Sequence, residues 1–249
     1  SFWGGVEEGF RSAAAELQDL GLHCVFFKSK YRSVEQETKL IKQALRSGVH
    51  ALALTPYHTE QMKLLINEIV DSGIPVVTYV NDIPDSRRLS YVGNIPFKEG
   101  RVAGELVGKL LRGTGKLIVF RGQKDSDNND RCNGFYEVLR SDYPNVTVCC
   151  EEELLYPINQ INDTIGAVLD QHSDAKGIFV ANSFAEFVAP QLVKRGMAHD
   201  VSLVGFVLTK ETERYLRQGV VDVVVTSNSF RQGYETFKIL AEFLLEDKT

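Results

Sequence analysis

The chain has 249 residues, which is enough for one large α/β unit or for two small lobes that each have a core. Its formal net charge of −5 excludes the basic footprint that nucleic-acid binding requires, so any DNA-binding part would lie outside this chain. No apolar run approaches the roughly 18 residues of a membrane span, and no export signal is visible.

Short apolar runs alternate along the chain with longer segments in which apolar residues recur at helical spacing. In the first such segment, Val6, Phe10, Ala13 and Leu17 share one helical face. Helices are predicted at 6–17, 34–46, 60–72, 97–111, 130–139, 158–171, 184–195, 210–217 and 230–245. Strands are predicted at 23–27, 51–54, 75–79, 90–92, 117–120, 146–150, 177–180, 203–206 and 221–225.

This alternation predicts an α/β protein whose parallel sheets are covered by helices on both faces. The strands are continuous apolar runs, as expected for strands that are buried on both sides. In sheets of this kind, ligands bind beyond the carboxyl ends of the strands.

Motifs of catalysis and metal binding are absent from the sequence. It contains no GxSxG turn and no HExxH helix, and its histidines are scattered. Segment 113–116 resembles a phosphate loop but precedes a strand, so we predict a helix-ending turn there. We therefore predict that the chain is not an enzyme and takes no metal or cofactor.

The four cysteines are Cys24, Cys132, Cys149 and Cys150, and none belongs to a CxxC pair. This spacing does not suit a zinc site. We predict buried thiols, which fit a reducing cytosol better than a periplasm.

Several short phrases occur in an order that resembles one known family. They are Phe2-Trp3, Ile74-Pro75-Val76-Val77-Thr78-Tyr79, Tyr91-Val92-Gly93-Asn94, Gly100-Arg101-Val102-Ala103-Gly104, Arg131-Cys132-Asn133-Gly134-Phe135, Ile178-Phe179-Val180-Ala181-Asn182, Val204-Gly205-Phe206 and Phe230-Arg231-Gln232-Gly233-Tyr234. The series resembles the type I periplasmic-binding-protein fold, which ribose-binding proteins share with LacI/GalR transcriptional regulators. The resemblance implies two Rossmann-like lobes with parallel sheets and a ligand cleft between them.

The resemblance also implies how the chain divides. The N-terminal lobe would hold 1–94 and 229–249, and the C-terminal lobe would hold 95–228. The chain opens with no strand before its first helix, so we expect the first strand of the N-terminal lobe to be missing and the chain to be cut from something longer.

Carried over from the family, ten positions are candidate ligand contacts. They are Phe2, Trp3, Thr55, Asn81, Asp82, Arg131, Tyr156, Asn182, Val207 and Ser227. At the fourth strand either Asn81 or Asp82 would bind hydroxyls, and at the last crossover Asn228 is the alternative to Ser227.

Two of these assignments have structural alternatives. The aromatic pair Phe2-Trp3 would stack on a sugar ring, or it would act as a staple onto the first helix. The guanidinium fork of Arg131 would donate to two ligand oxygens, or Arg131 would be a surface residue at a helix start.

The chain departs from the family at two positions, where Val80 and Val207 replace common aspartates. Loss of these acceptors predicts a ligand with fewer hydroxyl donors or with an anionic group, because Arg131 and lysines such as Lys28, Lys30 and Lys124 would remain. The alternative is that Asp82 takes the role assigned to position 80.

The phrases at 81–87 and 230–234 resemble the regulator branch more than exported binding proteins. We therefore predict a cytoplasmic, homodimeric effector-sensing domain of a LacI/GalR-type regulator, without contact to a membrane. It would bind a small carbohydrate-like effector and act on operator DNA through a helix-turn-helix head that this chain lacks. The alternative is an exported solute-binding protein of an ABC transporter or chemoreceptor.

Overall fold

A computed structural model of the protein describes residues 2–28, 33–57, 59–122, 126–155 and 158–246. The chain forms two compact units, the N-terminal unit (Ser1–Asn94 and Asn228–Thr249) and the C-terminal unit (Ile95–Ser227). The return to the N-terminal unit falls between Ser227 and Asn228, one residue before the position expected from the sequence.

In chain order the elements are α1 (Phe2–Glu16), a short 3₁₀ helix (Gln18–Leu20), α2 (Val34–Arg46), β1 (Leu52–Leu54), α3 (Glu60–Asp71), β2 (Val76–Tyr79), β3 (Ser90–Val92), α4 (Pro96–Leu110), β4 (Thr114–Arg121), α5 (Ser126–Asp142), β5 (Asn145–Glu153), α6 (Ile158–Gln171), β6 (Gly177–Val180), α7 (Ala185–Lys194), β7 (Ser202–Phe206), α8 (Lys210–Arg217), β8 (Val223–Val225) and α9 (Ser229–Glu246).

Within the described part of the C-terminal unit, five parallel strands form a sheet in the order β5-β4-β6-β7-β8. Helix faces pack on both sides of this sheet. Ile118, Phe120 and Ile178 belong to one core cluster, and Val119 and Phe179 belong to the other. Neighbouring residues of one strand thus enter opposite cores, because side chains alternate across a strand. The predicted α/β class with parallel, doubly covered sheets is confirmed.

In the N-terminal unit, the described strands form a parallel sheet of three, in the order β1-β2-β3. The core lies between this sheet and helices α2 and α3, around Ile41, Met62, Ile66 and Val76. Three of these side chains are completely inaccessible to solvent.

The strand predicted at 23–27 is wrong as a hydrogen-bonded strand. This segment has no regular secondary structure and forms no ladder with any described strand. Its Val25 side chain is 67% exposed. The segment and β1 both line an open, largely apolar cavity of about 1050 Å³, to which α1, α2 and α9 also contribute. An apolar segment forms a strand only where a neighbouring strand offers backbone hydrogen-bond partners. No described strand pairs with segment 23–27.

Two glycines bring α4 and α5 into backbone contact. A Cβ atom at Gly100 would overlap the carbonyl oxygen of Arg131, and one at Gly134 would overlap that of Phe97. Only glycine permits this approach, because any side chain would push the helices apart. The contact sets which residues of the two helices face each other.

The same arrangement joins α1 to α9 in the N-terminal unit. A Cβ atom at Gly9 would overlap the carbonyl oxygen of Phe230, and one at Gly233 would overlap that of Val6. Glycines in the phrases that carried the family resemblance are therefore helix-contact residues in both units.

Element ends differ from the sequence prediction in ways that affect the candidate site. Helix α1 begins at Phe2, so the aromatic pair lies in its first turn. Segment 113–116 is divided, since Gly113 ends a turn and β4 begins at Thr114. Helix α7 contains Pro190 and continues to Lys194.

The cysteines are less buried than predicted. Cys132 is buried, whereas Cys24, Cys149 and Cys150 are half-buried. Cys149 is the extra residue where the β4–β5 register shifts, and its thiol donates to the carbonyl of Leu117 at 3.4 Å. Burial raises the pKa of Cys24 to about 11, so this thiol stays protonated at neutral pH.

The glycine contact predicts that Gly134→Ala lowers the unfolding free energy by about 1–3 kcal/mol or more, because the added methyl meets a backbone carbonyl that cannot move aside. Gly166→Ala in α6 is the matched control, since its methyl meets only the flexible end of Arg195. That variant is expected to be neutral or up to about 1 kcal/mol more stable through helix propensity. Urea unfolding measures both, and equal effects of the two variants would contradict the assignment.

Candidate ligand-binding site

The candidate residues lie mainly where strands end at the carboxyl edges of the two sheets. In the C-terminal unit, Asn182 follows β6, Val207 follows β7 and Ser227 follows β8. In the N-terminal unit, Thr55 follows β1, and Val80, Asn81 and Asp82 follow β2.

Arg131 of α5 is the most constrained charged residue at the edge of the C-terminal unit. Its Nε and Nη2 donate to Oε2 of Glu99 at 3.2 and 2.8 Å. Its Nη1 donates to the carbonyl of Ala181 at 2.8 Å, and its guanidinium lies 4.4 Å from the ring centre of Phe206. The side chain is therefore not the surface residue that the alternative interpretation proposed.

Glu99 is a site residue that the sequence analysis missed. The side chains of Arg131 and Glu99 are only 16% and 14% exposed, so the pair is largely removed from water. Glu99 directly precedes Gly100, whose contact with α5 brings the carboxylate beside Arg131. The carboxylate neutralises the guanidinium charge, so Arg131 is not the free cation that the sequence predicted.

Asn182 ends β6 next to the carbonyl that Arg131 binds. Its Oδ1 accepts the backbone N–H of Phe184 at 2.9 Å, which closes a turn of the Asx type. The turn fixes the amide, and no contact to the Nδ2 atom is recorded among the residues that the structure describes. Asn182 therefore offers two oriented donors at the carboxyl edge.

Val207 follows β7 with a positive φ of 64°. Its N–H donates to Val225 at 3.2 Å, and its carbonyl accepts the Thr212 hydroxyl at 3.2 Å. Ser227 is half-buried two residues after β8. Its alternative, Asn228, caps α9 instead, since its Oδ1 accepts the N–H of Arg231 at 2.9 Å.

Asp82 of the N-terminal unit makes a hydrogen bond and an ion pair within its own unit. Its carboxylate accepts the Thr78 hydroxyl at 2.7 Å and pairs with Arg88 at 2.6 Å. The Asp82 and Arg88 side chains are 18% and 20% exposed. These contacts occupy much of the carboxylate's acceptor capacity, so Asp82 is a weak substitute for an aspartate at position 80.

Two polar side chains at the edge of the N-terminal unit have hydrogen-bonding atoms that remain available for a ligand. The Thr55 hydroxyl is buried and has no partner within the described ranges. The Asn81 amide makes one long contact of 3.5 Å to the carbonyl of Pro56. A buried hydroxyl without a partner is costly, and a ligand or water would satisfy it.

Val80 follows β2 with a φ of 64°, the value that Val207 also has. Its N–H donates to the carbonyl of Val92 at 3.1 Å, and its own carbonyl accepts the Tyr91 hydroxyl at 3.0 Å. The side chain is half-buried.

The aromatic pair contacts itself edge to face, with ring centres 5.3 Å apart. Phe2 is half-buried, and Trp3 is 47% exposed. Trp3 also lines the cavity of the N-terminal unit. Tyr156, Lys30 and Lys124 lie outside the described residues, so their assignments stay predictions.

Over the described ranges, no three His, Cys, Asp or Glu side chains come together as a metal site would require. In the same part of the chain, no helix has the length and apolar character to cross a membrane.

The fold is that of a two-unit α/β protein with parallel sheets and polar residues at their carboxyl edges. Residues 1–248 match the family described as periplasmic binding protein domain, so the chain belongs to this family. The predicted type I periplasmic-binding-protein fold is thereby confirmed.

Curated relatives are distant. A D-ribose/D-allose-binding protein of Pseudomonas aeruginosa is 24% identical over 212 residues, which are 82% of this chain and 65% of that protein. The ribose import binding protein RbsB of Escherichia coli is 20% identical over 210 residues, or 83% of this chain and 69% of the relative. Both relatives are binding proteins, in agreement with the expectation that the chain is not an enzyme.

Solved structures share the fold. A glucose-galactose binding protein from Geobacillus stearothermophilus has a TM-score of 0.86 at 24% identity, covering 98% of this chain and 87% of its own. A sugar-binding protein of a sugar ABC transporter from Bacillus halodurans has a TM-score of 0.90 at 20% identity, covering 97% and 82%.

The Arg131–Glu99 pair predicts strong energetic coupling. Arg131→Ala and Glu99→Ala are each expected to cost about 2–4 kcal/mol of unfolding free energy, since each leaves a largely buried charge unpaired. The double variant is expected to cost about 1–3 kcal/mol less than the sum of the two. Urea unfolding of the four proteins gives the coupling energy.

The exposed pair Arg217–Glu213 on α8 is the matched control for this cycle. Its coupling is expected to stay below about 0.5 kcal/mol, because both groups remain in water. A coupling at Arg131–Glu99 no larger than that of the control would contradict the assigned structural role.

Proposed function

We propose that the chain is the ligand-binding part of a solute-binding protein that takes a small, neutral, sugar-like compound. The observation that carries the proposal is the pair of fixed groups at the end of β6, where Arg131 holds the Ala181 carbonyl and the Asn182 amide is oriented by its own turn. Arg131 fixes the backbone beside Asn182, and an oriented amide donor of this kind suits a ligand that offers hydroxyl oxygens.

The family membership and the names of the relatives support a binding role. Proteins described as ribose- or allose-binding and as sugar-binding components of ABC transporters share the fold along most of this chain. Binding to the carboxyl-edge residues would stabilise whichever conformation holds the ligand better, since a ligand shifts an equilibrium only through its differential affinity.

The regulator interpretation has less support than this proposal. One of its two phrases contains Asp82, which pairs with Arg88, and the other contains Gly233, which forms the α1–α9 contact. Both phrases therefore have structural roles that a transport protein would need as well. Operator DNA, a helix-turn-helix head, homodimerisation and a cytoplasmic location belonged to the regulator interpretation and are not carried into the main proposal.

A solute-binding protein would deliver its ligand to a membrane transporter or a chemoreceptor, and it would work outside the cytoplasm. We therefore expect the natural gene product in the cell-envelope fraction, or released with the periplasm, when cells are fractionated. Immunoblotting of the fractions measures this. Recovery in the cytosol together with sequence-specific operator binding would favour the regulator alternative.

The oriented amide predicts that Asn182→Ser weakens sugar binding about five- to tenfold. Serine can still accept the Phe184 N–H in the same kind of turn, so the fold is retained while the amide donors are lost. Loss of one such hydrogen bond is worth about 1–1.5 kcal/mol. Titration calorimetry measures the affinity, after a thermal-shift screen of neutral pentoses and hexoses finds the best probe.

Arg217→Ala is the control variant, because this side chain on α8 is exposed and pairs with its helix neighbour Glu213. Its affinity is expected to match that of the unchanged protein. Equal affinities of the control and Asn182→Ser would move the binding site away from the end of β6.

A further inference from the structure

Val80 and Val207 share an unusual backbone conformation. Both have a φ of 64°, one directly after β2 in the N-terminal unit and one directly after β7 in the C-terminal unit. Positive φ is sterically unfavourable for residues other than glycine, and it is a clear outlier for a β-branched side chain. Such strain concentrates at functional positions.

The same pair of hydrogen bonds holds each strained residue. The N–H of each valine donates to the end of the adjacent strand, Val92 or Val225. The carbonyl of each valine accepts a side-chain hydroxyl, from Tyr91 or Thr212. These hydrogen bonds hold the backbone of each valine in the left-handed conformation.

The left-handed conformation does not explain why these two positions carry valine. Glycine, asparagine or aspartate would adopt it at lower cost than valine. Each unit nevertheless presents two methyl groups at its carboxyl edge. Val80 is half-buried, and Val207 packs only partly against the core cluster that includes Phe206. Core packing is therefore an incomplete reason for valine at these positions.

A valine at such a position offers C–H surface and no acceptor. A ligand hydroxyl facing it would lose its hydrogen bond to water without gaining another, which weakens binding by roughly ten- to a hundredfold. A ligand that presents a methyl or methylene group at that point loses nothing and buries apolar surface.

Among the residues that the structure describes, the pairing of the cations near the edges argues against an anionic ligand. Arg131 pairs with Glu99, Arg88 with Asp82, and Arg121 with Glu151 at 3.1 Å. Lys28 pairs with Glu7, and this hydrogen bond and a second one from Arg11 hold the pKa of that carboxyl below its usual range. Each of these cations already has a carboxylate partner, so none of them is free for a phosphate or carboxylate.

We infer that Val80 and Val207 are specificity-determining residues that select a neutral sugar-like ligand lacking one or more hydroxyls, such as a deoxy sugar. The inference rests on the proposed function, since it names the class of ligand for the same edges. Each valine excludes a hydroxyl of a ligand that binds at the carboxyl edge of its own unit.

Matched pairs of sugars that differ by one hydroxyl test the selection. The pairs are D-fucose with D-galactose, L-rhamnose with L-mannose, and 2-deoxy-D-ribose with D-ribose. In thermal-shift titrations followed by calorimetry, the deoxy member of at least one pair is expected to bind at least tenfold more tightly. D-Galacturonic acid and D-ribose 5-phosphate are expected to bind no better than the neutral hydroxylated sugars.

Substitutions at the two valines distinguish the effect of side-chain polarity on ligand preference from the effect of backbone strain on stability. Val80→Thr and Val207→Thr keep the β-branched shape and add a hydroxyl, so the preference for the deoxy sugar is expected to fall about tenfold with little change in Tm. Val80→Asn and Val207→Asn also relieve the backbone strain, so they are expected to raise Tm by about 2–4 °C as well. Val193→Asn, at an exposed position of α7 outside the left-handed region, is the control and is expected to change neither quantity.

The outcomes distinguish this inference from the proposed function. Equal or tighter binding of the hydroxylated sugars, or tight binding of the anions, overturns the inference while a binding role remains. A preference that the threonine variants leave unchanged overturns the assignment to these valines. A lower Tm in the asparagine variants shows that valine is there for packing and also overturns it. Binding of no sugar from either set removes the proposed function and the inference together.

Discussion

Backbone contact between helices α4 and α5 sets the position of the Arg131–Glu99 pair. Where α4 meets α5, glycine at positions 100 and 134 lets carbonyl groups lie against the neighbouring helix. Glu99 and Arg131 are adjacent to this contact in sequence, so the same approach places their charges within bonding distance. From there Arg131 reaches the Ala181 carbonyl after β6, which ties the helix pair to the edge of the sheet. A wider helix spacing would break both links at once.

The general fold could be predicted from the sequence because parallel strands that are buried on both faces leave continuous apolar runs, as at β4 and β6. The strand prediction at 23–27 was wrong because it rested on apolar content alone. Apolar content indicates that a segment can be buried, whereas a strand also needs a neighbouring strand to pair with, and the sequence does not say where that neighbour lies. The first turn of α1 was missed because its two adjacent glycines, Gly4 and Gly5, are typical of a loop.

The candidate site was predicted in its residue types but not in its charge balance. Arg131 and Asn182 belong to sequence segments that resemble the family. Glu99 lies in the first turn of a helix, where acidic residues are common, so its residue type alone gave no signal of a site. Its spacing from Gly100 is the one signal that could have found it. The strain at Val80 and Val207 leaves no trace in a sequence, since valine after a strand gives no hint of a positive φ. Only the structure shows that both valines occupy a backbone conformation that suits other residues better.

In concentrated solution, the outer edge of β1 is a place where the protein can pair with another copy of itself. Among the described residues, this strand pairs on one side only, with β2. The residues of β1 also line the open apolar cavity. Segment 49–57 contains no lysine, arginine, aspartate or glutamate, the residues that usually keep such an edge from pairing with another chain. Storage and crystallisation of the protein will therefore depend on how this one strand is shielded from its copies in other molecules.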